Sequence, residues 1–521
     1  MTTDSLNQAI LNQASLTGLP NNIEFPSYDR SQLKAGIVHI GVGGFHRAHQ
    51  AVYCDELLKT PGSEQWAICG IGLLENNRGL RDILVKQDYL YSLVVRHPNG
   101  QIDNKVIGSM IDFIFAPDNK QAVIDKLAHI DTKIVSLTIT EGGYNVHPST
   151  GELDVTNPDI THDIAHPNDP ITAFGYIAAA LRVRKAKGMK AFTIQSCDNI
   201  QHNGNVTRKM LLTFTAQQDA FHQDTIHNNS GLSHWIAQNV QFPNAMVDRI
   251  TPVTTKADID YVAKNFELSD EWPITCEAFS QWVIEDNFSN GRPNWDKVGA
   301  QLVADVTPFE KMKIRLLNAG HSVLGLLGSI HGYATIDETV SDKDFAEYLR
   351  AFMDLEVTPL LDQLDGIDLN QYKNTLIERF ANPNIKDSLS RICSESSAKL
   401  PKFLIATINE NLAANRDCSL AALVIATWCL YSDKQVNQAQ QPLTIQDAMQ
   451  TELTQYAQNT QTDSLAFLKL NSLFGDLMNK PAFTELYSDA INALYAPASN
   501  IKNIMGNILI QKRLTVTEEA K

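Results

Sequence analysis

The chain has 521 residues, which is too long for one ordinary core, and its 43% hydrophobic and 20% charged residues are typical of a globular rather than a disordered protein. Its formal net charge of -16 argues against nucleic acid or an anionic membrane as a partner. The seven cysteines are scattered, odd in number and without a Cys-x-x-Cys pair, so they favour reduced thiols over a disulfide framework or a structural zinc site.

The two ends of the chain carry little pattern. The start has neither the basic residues nor the apolar run of a signal peptide, so we expect a cytoplasmic protein. The ends, up to about residue 20 and after about residue 514, are interpreted as arms.

The first three-fifths of the chain alternates predicted strands and helices. The strands are expected at 36–40, 66–71, 91–95, 105–115, 134–140 and 190–195. A Pro98-Asn99-Gly100 turn predicts that the third and fourth of them form an inserted hairpin. Strands separated by helices indicate a mostly parallel sheet, which binds ligands beyond the carboxyl ends of its strands. Those ends carry Gly41, Gly43, Glu75, Glu141 and Asn199.

A glycine-rich loop follows the first of these strands. Gly41 permits a tight turn, and Gly43 lets the backbone approach a pyrophosphate at the N-terminus of the next helix. His46 occupies the third glycine position of the G-x-G-x-x-G fingerprint, so a glycine-rich turn without a ligand remains the alternative. Glu75 could accept hydrogen bonds from an adenosine ribose, which favours NAD over NADP, although the nearby Arg78 weakens this inference.

Two histidines have the spacing of a metal-binding pair. His162 and His166 are four residues apart, but they lie between Pro158 and Pro167 in a polar stretch with no clear helix. No Glu follows His162, as a zinc-protease motif requires. We interpret the spacing as chance and expect no metal.

The pattern changes after about residue 300. Strand signals become few, and helical periodicity appears at 342–361, 369–381, 420–430 and 482–494. The longest uncharged apolar stretch, Cys418–Ser432, is too short to span a bilayer and predicts a buried helix. We therefore expect an α/β domain over residues 1–300 and a mainly α-helical domain over residues 301–521.

The second domain is expected to begin with a well-capped helix. Thr307 can serve as its N-cap, Pro308 suits the first helical position, and Glu310 completes a capping box. At about 100° per residue, the residues that share an apolar face are Met312, Leu316, Ala319 and Val323.

The same helix places three functional groups together. Lys313, Asn318 and His321 spread over an arc of roughly 140° away from the apolar face. Removal of a hydride from an alcohol requires a proton acceptor and hydrogen-bond donors for the alkoxide, and this set supplies both. An apolar setting would lower the pKa of Lys313 and make it a base. The alternative, a surface lysine with a buried and satisfied Asn and His, is not excluded by the spacing alone.

Five segments show a family pattern in family order: GVGGFHRAHQ (41–50), TEGGYN (140–145), SCDN (196–199), MVDRITP (246–252) and Lys313-x4-Asn318-x2-His321. They resemble the mannitol dehydrogenase family, the zinc-independent long-chain polyol dehydrogenases and hexuronate reductases. Weaker similarity around Arg391 extends the resemblance to nearly the whole chain. A histidine at position 46, which departs from the general fingerprint, is what this family has.

The resemblance implies a Rossmann-type N-terminal domain and a helical C-terminal domain, with the active site between them. It implies that Lys313 is the general base, which takes the hydroxyl proton in polyol oxidation and returns it in ketose reduction. Asn199 and Asn318 would hold the alkoxide as an oxyanion pair, and His321 would bind or orient the reacting oxygen.

The resemblance also implies how substrate and cofactor are bound. Asp248 and Arg391 resemble positions that bind the other substrate hydroxyls, with a structural Asp–Arg ion pair as the alternative. Glu310 matches a position associated with proton passage to the lysine, with its capping role as the alternative. Tyr144 and Asp198 could line the cofactor crevice or only shape it. The implied cofactor is NAD, and the residues expected to bind it are Gly41, Gly43, Gly44, Phe45, His46, Arg47, Glu75 and Glu141.

We expect a monomeric enzyme that acts on a small polyol and its ketose, specifically D-mannitol and D-fructose with NAD(H). Segments 68–73 and 138–144 most resemble that branch of the family. The alternative is reduction of D-fructuronate or tagaturonate, which requires a further cationic side chain for the substrate carboxylate, and Arg391 could fill that role. A dinucleotide-binding regulatory protein without catalysis is another class, against which the complete lysine, asparagine and histidine set argues.

Overall fold

The computed structural model describes residues 8–147, 150–222, 231–364 and 366–519. These residues form two compact units, one that extends to Thr307, apart from Pro98–Gly100, and one that begins at Pro308. Residues 1–7, where the absence of a signal peptide was inferred, lie outside the described part. Among the helices of the described ranges, none is both long and apolar enough to cross a membrane.

The strands of the described residues all lie in the first unit. They are β1 (Ile23–Glu24), β2 (Ile37–Ile40), β3 (Ile68–Gly72), β4 (Tyr91–Arg96), β5 (Ile102–Ile107), β6 (Met110–Phe115), β7 (Ile134–Leu137), β8 (Thr193–Ser196), β9 (Ala245–Asp248), β10 (Ile274–Glu277), β11 (Gln281–Glu285) and β12 (Gln301–Val303). The α-helices of this unit are α1 (Gly44–Ala48), α2 (Gln50–Leu58), α3 (Arg78–Lys86), α4 (Lys120–Ala128), α5 (Thr140–Gly143), α6 (Pro158–Ala165), α7 (Ala173–Ala186), α8 (Asn203–Phe221), α9 (Leu232–Asn239) and α10 (Lys256–Phe266).

The regular secondary structure of the second unit consists of helices in its described residues. Its α-helices are α11 (Thr307–Lys313), α12 (Ala319–His331), α13 (Ile336–Ser341), α14 (Lys343–Ala351), α15 (Leu369–Phe380), α16 (Leu389–Cys393), α17 (Ser396–Leu400), α18 (Ala406–Ala413), α19 (Ser419–Lys434), α20 (Gln450–Gln458), α21 (Asn471–Phe474), α22 (Pro481–Tyr495) and α23 (Ile501–Glu519). Three segments have π-helical hydrogen bonding, namely Ile314–Asn318, Phe352–Val357 and Pro401–Ile405.

The central sheet of the first unit is parallel, with the order β6-β3-β2-β7-β8. The chain adds strands on one side of β2 and then crosses to β7 on the other side, so the direction of winding changes between β2 and β7. In doubly wound sheets, ligands bind beyond the carboxyl ends of the strands at such a switch point. The predicted Rossmann-type domain with a mainly helical C-terminal domain is therefore confirmed.

Alternate residues of the central strands pack into two separate hydrophobic cores, one on each face of the sheet. Ile37 of β2 packs with α2 and α3 on one face, whereas Val38 and Ile40 pack with α4 and α7 on the other. Both faces are covered, so β2 is an almost continuous apolar run, as parallel strands usually are. The polar exception is His39, which is fully buried on the α2 side of β2.

One predicted strand is wrong. The segment predicted as a single strand at 105–115 forms β5, which pairs with β4 in a hairpin, and β6, which joins the central sheet. The break falls at Gly108, where an added Cβ would lie 2.5 Å from Pro26 and where the backbone N–H donates to Asp55 (2.8 Å). Both contacts are to residues distant in sequence, so strand periodicity could not reveal them.

Two further expectations are corrected. The described N-terminal residues are not an arm, because Leu11 and Leu16 are buried in a cluster with Val262 and Phe266 of α10. The stretch around His162 is not irregular, because α6 covers Pro158–Ala165 with Asn157 as its N-cap. The C-terminal segment is helical to Glu519.

A buried carboxylate organises the second unit. Glu356 is fully buried and accepts the N–H groups of Leu420 and Ala421, in the first turn of α19, at 2.8 and 2.9 Å. Lys512 of α23 donates to the same carboxylate (2.9 Å). This arrangement caps α19, the predicted buried helix, and ties α23 to it. An unpaired buried carboxylate would be costly, so the lysine is essential to this packing.

We predict that Lys512→Met lowers the free energy of unfolding by about 3–5 kcal/mol, because it leaves the Glu356 carboxylate buried without its cation. Lys256→Met is the matched control. Lys256 pairs with Asp260 at 82% and 62% side-chain exposure, so its loss should cost under about 1 kcal/mol. Urea denaturation followed by tryptophan fluorescence measures both, and equal losses would contradict this account of Glu356.

Candidate functional site

The glycine loop is shaped by a close approach to the end of β7. Gly41 has φ +94°, and an added Cβ would lie 2.1 Å from the carbonyl oxygen of Thr138. Gly43 differs, because it is extended and its nearest neighbour to an added Cβ is 3.8 Å away. The fold itself therefore requires glycine at 41, whereas the absence of a side chain at 43 leaves open space over the loop. That space fits the close backbone approach that a dinucleotide pyrophosphate needs.

The histidine at the third fingerprint position has a structural explanation. The His46 ring stacks on the His39 ring of β2, with centroids 3.5 Å apart and planes 9° from parallel. Burial lowers the pKa of His39 to about 3 and that of His46 well below its ordinary value, so both rings are neutral. Two flat, uncharged rings thus pack against each other between α1 and β2, at the position where the general fingerprint has its third glycine.

The other side chains of the loop helix face the protein. Arg47 is buried and donates from Nη1 to the carbonyl of Trp272 (2.7 Å), and its guanidinium lies 5.4 Å from the centroid of the Tyr91 ring. Phe45 is half-buried against His49, with ring centroids 4.9 Å apart. The cofactor contacts predicted for His46 and Arg47 would thus come from the backbone.

Glu75 lies just beyond β3, exposed, and is engaged by an arginine. Arg78 donates from Nε and Nη2 to its two carboxylate oxygens at 2.5 and 3.2 Å. Arg78 also donates to Asp118 (3.1 Å), and its guanidinium lies over the ring of Phe115. The Arg78 hydrogen bonds lower the pKa of Glu75. The exposed carboxylate that was expected to bind a ribose is therefore already paired with a cation.

The turn after β7 is held by Asp198. Its carboxylate accepts the N–H groups of Ile139 and Thr140 at 3.0 and 2.9 Å and the Tyr144 hydroxyl at 2.7 Å. Burial raises the pKa of Asp198, and Tyr144 is fully buried. These two residues shape the loop, whereas Glu141, in the same turn, is exposed.

Asn199 follows Asp198 at the carboxyl end of β8 and is exposed. The sequence analysis missed Asn203, which anchors this loop. Its amide group donates to the carbonyls of Asp198 (3.0 Å) and Ala245 (2.7 Å), and its oxygen accepts the Ala245 N–H (2.9 Å). The Asn199 loop is therefore fastened to β9.

Asp248 is the last residue of β9 and is 5% exposed. The next residue, Arg249, donates to the carbonyls of Glu277 (3.1 Å) and Ala48 (2.7 Å). Because Ala48 ends α1, Arg249 connects the end of β9 to the helix of the glycine loop. The first unit thereby brings the regions of Asp248, Asn199 and the glycine loop together.

In the second unit, the Lys313 helix contains a π-helical turn that the sequence analysis did not anticipate. Residues Ile314–Asn318 form it, between α11 and α12, and the Ala319 N–H bonds to the carbonyl of Ile314. In an α-helix, residues five apart differ by about 140° around the axis. A π turn hydrogen-bonds residues five apart, so the backbone positions of Lys313 and Asn318 lie closer together around the helix axis than they would in an α-helix.

Burial distinguishes the functional side of this helix. The predicted apolar residues Met312, Leu316, Ala319 and Val323 are fully buried, which confirms that face. Lys313 and Glu310 are also buried, at 6% and 4% exposure, whereas Asn318 and His321 are half-buried. The His321 ring packs on Phe380, with centroids 4.5 Å apart. Lys313 is therefore not a surface lysine, so that part of the structural alternative is wrong.

Two ion pairs with a neighbouring helix hold the π turn in place. Arg315, in the middle of the turn, donates to Thr407 Oγ1 (2.8 Å) and to Glu410 of α18 (2.7 Å). Lys311 pairs with the other oxygen of Glu410 (3.0 Å). Two cations flanking Lys313 are thus directed at one carboxylate on a neighbouring helix. Local sequence pattern could not indicate this contact, because Arg315 and Glu410 are 95 residues apart.

The helix that carries Arg391 packs tightly on α12. An added Cβ at Gly325 would lie 2.9 Å from both Cys393 and Ile392 of α16, so glycine permits the close approach. The Arg391 guanidinium forms a two-point ion pair with Asp387, one turn earlier on the same side. This ion pair raises the pKa of Arg391.

Lys399 is a second cation in this region that the sequence analysis did not single out. It donates to the carbonyl of Ser394 (2.6 Å) and lies 3.4 Å from that of Ile392. Burial, followed by the charge of Arg391, lowers the pKa of Lys399.

The histidine pair of α6 is occupied by protein contacts. His162 Nδ1 lies 3.1 Å from Asp163, and His166 Nδ1 lies 3.0 Å from the carbonyl of His162. No group of three or more potential metal ligands occurs among the described residues.

Comparison with known proteins identifies relatives over both units. The family models of the mannitol dehydrogenase Rossmann domain and the mannitol dehydrogenase C-terminal domain match residues 35–297 and 305–495. The mannitol 2-dehydrogenase of Aspergillus fumigatus is 44% identical over 477 residues, which cover 90% of this chain and 93% of that protein. The mannitol 2-dehydrogenase of Pyricularia oryzae is 44% identical over 460 residues, which cover 87% and 89%.

Solved structures agree with the sequence relatives. The mannitol 2-dehydrogenase of Pseudomonas fluorescens, in a ternary complex with NAD and D-mannitol, is 45% identical, with a TM-score of 0.82 over 96% of this chain and 99% of that one. A substrate-free D-sorbitol dehydrogenase is 34% identical, with a TM-score of 0.86 over 95% and 99%. The family resemblance carried by the five sequence segments is confirmed.

We predict that Gly41→Ala impairs the stability of the protein, whereas Gly43→Ala impairs its binding of NADH. Gly41→Ala should lower the melting temperature, because its Cβ meets the Thr138 backbone. Gly43→Ala should fold normally but bind NADH roughly tenfold more weakly or worse, because its Cβ fills the open space over the loop. Calorimetric melting and NADH titration measure the two effects. A Gly43→Ala protein that is unstable yet binds NADH normally would contradict the assignment.

Proposed function

Because the chain belongs to the mannitol dehydrogenase family, we propose that this NAD-dependent polyol dehydrogenase interconverts D-mannitol and D-fructose. The observation that supports the proposal most directly is the π turn, which brings the positions of the buried Lys313 and of Asn318 closer together around the helix axis. The mannitol 2-dehydrogenases among the relatives support the choice of substrate.

The glycine loop, with Gly41 and Gly43, would hold the pyrophosphate of NAD. The nicotinamide ring of the bound NAD would accept the hydride. Lys313 acts as the general base in oxidation. Its neutral amine takes the proton from the substrate hydroxyl as the adjacent C–H bond releases its hydride, so the alcohol becomes a ketone. In reduction, the Lys313 ammonium returns this proton to the oxygen.

Negative charge develops on the reacting oxygen as its proton leaves. The carboxamide N–H groups of Asn318 and Asn199 donate to that oxygen and stabilise the charge. The pairing of these two asparagines rests on the family resemblance, since each belongs to a different unit. His321, held against Phe380, orients the same oxygen.

Glu310 is suited to exchange protons with the base. It lies three residues before Lys313 on α11, and residues at this spacing are neighbours on a helix surface. Both side chains are at least nine-tenths buried, so bulk water has little direct access to the amine. A carboxylate at this position would carry the proton between Lys313 and solvent.

The state of Arg391 favours a polyol over a hexuronate. Its guanidinium already binds a carboxylate, that of Asp387, through two hydrogen bonds. A uronate would have to compete with that internal partner, whereas a polyol hydroxyl can accept from a remaining N–H. Lys399 supplies a further donor in the same region, and Asp248 an acceptor in the first unit.

We predict that the protein reduces D-fructose with NADH at a kcat/KM roughly a hundredfold above that for D-fructuronate or tagaturonate. The loss of nicotinamide absorbance under identical conditions ranks the three substrates. Faster turnover of either uronate would transfer the assignment to a hexuronate reductase. Absence of turnover with any ketose would refute the proposal.

Lys313→Ala should reduce kcat by roughly 10²–10⁴-fold, because it removes the general base, and should leave the NADH dissociation constant within about twofold. Small primary amines should restore part of the activity. Lys256→Ala is the matched control, since it removes an equal charge from an exposed ion pair with Asp260, outside the proposed site. Steady-state kinetics and NADH titration measure both variants, and equal kcat values would show that Lys313 is not the base.

A further inference from the structure

A chain of buried polar side chains lies beneath the glycine loop. His39 Nδ1 lies 2.8 Å from Ser136 Oγ, which lies 2.8 Å from the side-chain amide of Gln50. On the other side of the ring, His39 Nε2 lies 2.9 Å from Thr138 Oγ1, which lies 2.6 Å from the carbonyl oxygen of Gly41. The same Nε2 also lies 3.3 Å from that carbonyl oxygen, a longer and weaker contact. The chain therefore runs from α2 through β2 and β7 to the first residue of the loop.

The positions of the hydrogens in these hydrogen bonds can be worked out from the Gly41 carbonyl, which ends the chain. A carbonyl oxygen only accepts, so the single hydroxyl hydrogen of Thr138 must point to Gly41. The hydroxyl oxygen of Thr138 must then accept from His39, which places a proton on Nε2. Burial keeps the imidazole neutral, so Nδ1 carries no proton and accepts from the Ser136 hydroxyl.

The assignment of the hydroxyl hydrogens also determines the orientation of the Gln50 side-chain amide. The Ser136 hydroxyl hydrogen is used on His39, so the group that Gln50 presents to Ser136 must be its NH₂. In the orientation that the structure shows, the Ser136 hydroxyl donates to Gln50 Oε1 (2.8 Å), and Gln50 Nε2 is buried without an acceptor among the described residues. Amide oxygen and nitrogen are exchanged by a half-turn, and the hydrogen-bond network decides between them. The half-turn places the amide donor against Ser136.

We propose that His39, protonated on Nε2, is a positioning residue that fixes the glycine loop for the pyrophosphate of the dinucleotide. Hydrogen bonds pass in one direction, from Gln50 through Ser136, His39 and Thr138 to the Gly41 carbonyl. This inference rests on the proposed use of NAD(H) and assigns to β2 a role beyond packing.

The surroundings of His39 support a positioning role. The His46 ring stacks flat on it, so its plane is set by the helix that follows the loop. Gly41 has φ +94° and lies against the backbone of Thr138, so a small shift of the Thr138 hydroxyl moves the loop directly. The His39 imidazole therefore contacts both ends of the glycine loop: it reaches Gly41 through Thr138, and it stacks on His46 in the helix that follows the loop. A relay of this kind positions the loop backbone without contacting the reacting atoms.

The test compares three threonine variants. Thr138→Val removes the hydroxyl at nearly constant volume and should raise the NADH dissociation constant and the KM for NADH about tenfold. The kcat and the KM for D-fructose should change less than twofold. Thr138→Ser keeps the hydroxyl and should restore NADH affinity. Thr193→Val is the matched control, because Thr193 on the neighbouring β8 accepts a hydrogen bond from the Ser289 N–H at the other end of the sheet (2.8 Å).

Thr193→Val should lose stability but keep NADH affinity. If Thr138→Val and Thr193→Val weaken NADH binding equally, or if Thr138→Ser behaves like Thr138→Val, the positioning role is overturned.

The tautomer has its own readout, independent of any activity. In protein labelled with ¹⁵N-histidine, the His39 signals, assigned by their loss in His39→Asn, should show a protonated Nε2 and an unprotonated Nδ1 from pH 5 to 8. A proton on Nδ1 would reverse the chain and overturn the proposal. If the protein failed to bind NADH at all, the proposed function would fail, while this spectrum would still decide the direction of the relay.

Discussion

The π turn at Ile314–Asn318 is the constraint on which the catalytic assignment depends. In a continuous α-helix, residues five apart differ by about 140° around the axis. The π turn reduces this difference between Lys313 and Asn318, and His321 follows on the same helix. An irregular turn of this kind is retained only where surrounding contacts hold it, and π turns are frequent at functional sites.

Those surrounding contacts are electrostatic on one side and steric on the other. Arg315 and Lys311 are held by Glu410 on α18, while the apolar face of the helix is fully buried. Gly325 admits α16 to close contact, which places Arg391 near the same helix. In the first unit, neutral polar chains do the equivalent work beneath the glycine loop. Each unit thus holds its functional groups by buried contacts that extend from a neighbouring element.

The predictable part of the fold was the part governed by local pattern. β2 and the Gly41 loop follow from an apolar run and a glycine that the geometry demands, and α19 follows from its uncharged stretch. The break at Gly108 could not be foreseen, because it depends on contacts to Pro26 and Asp55. Hydrophobic periodicity indicates which face of a strand or helix is buried, but it does not indicate which distant side chain packs against that face.

The candidate site divides in the same way. Lys313, Asn318 and His321 could be named from residue type and spacing, but their alignment required the π turn, for which the sequence carries no marker. Glu75 was found at a strand end, yet its engagement by Arg78 and Asp118 emerged only from the fold. Asn203 and Lys399 were missed because their roles are to fasten loops through backbone carbonyls, and such contacts have no sequence signature.

The most direct test of the central claim is the fate of the hydrogen on the oxidised carbon. D-Mannitol deuterated at C2 and C5, which are equivalent by symmetry, is incubated with NAD⁺ and the purified protein, and both products are analysed by mass spectrometry and NMR. Direct hydride transfer at C2 predicts one deuterium on the reduced nicotinamide ring and one retained in D-fructose. Retention of both deuterium atoms in the sugar product, or their release into water, would contradict it.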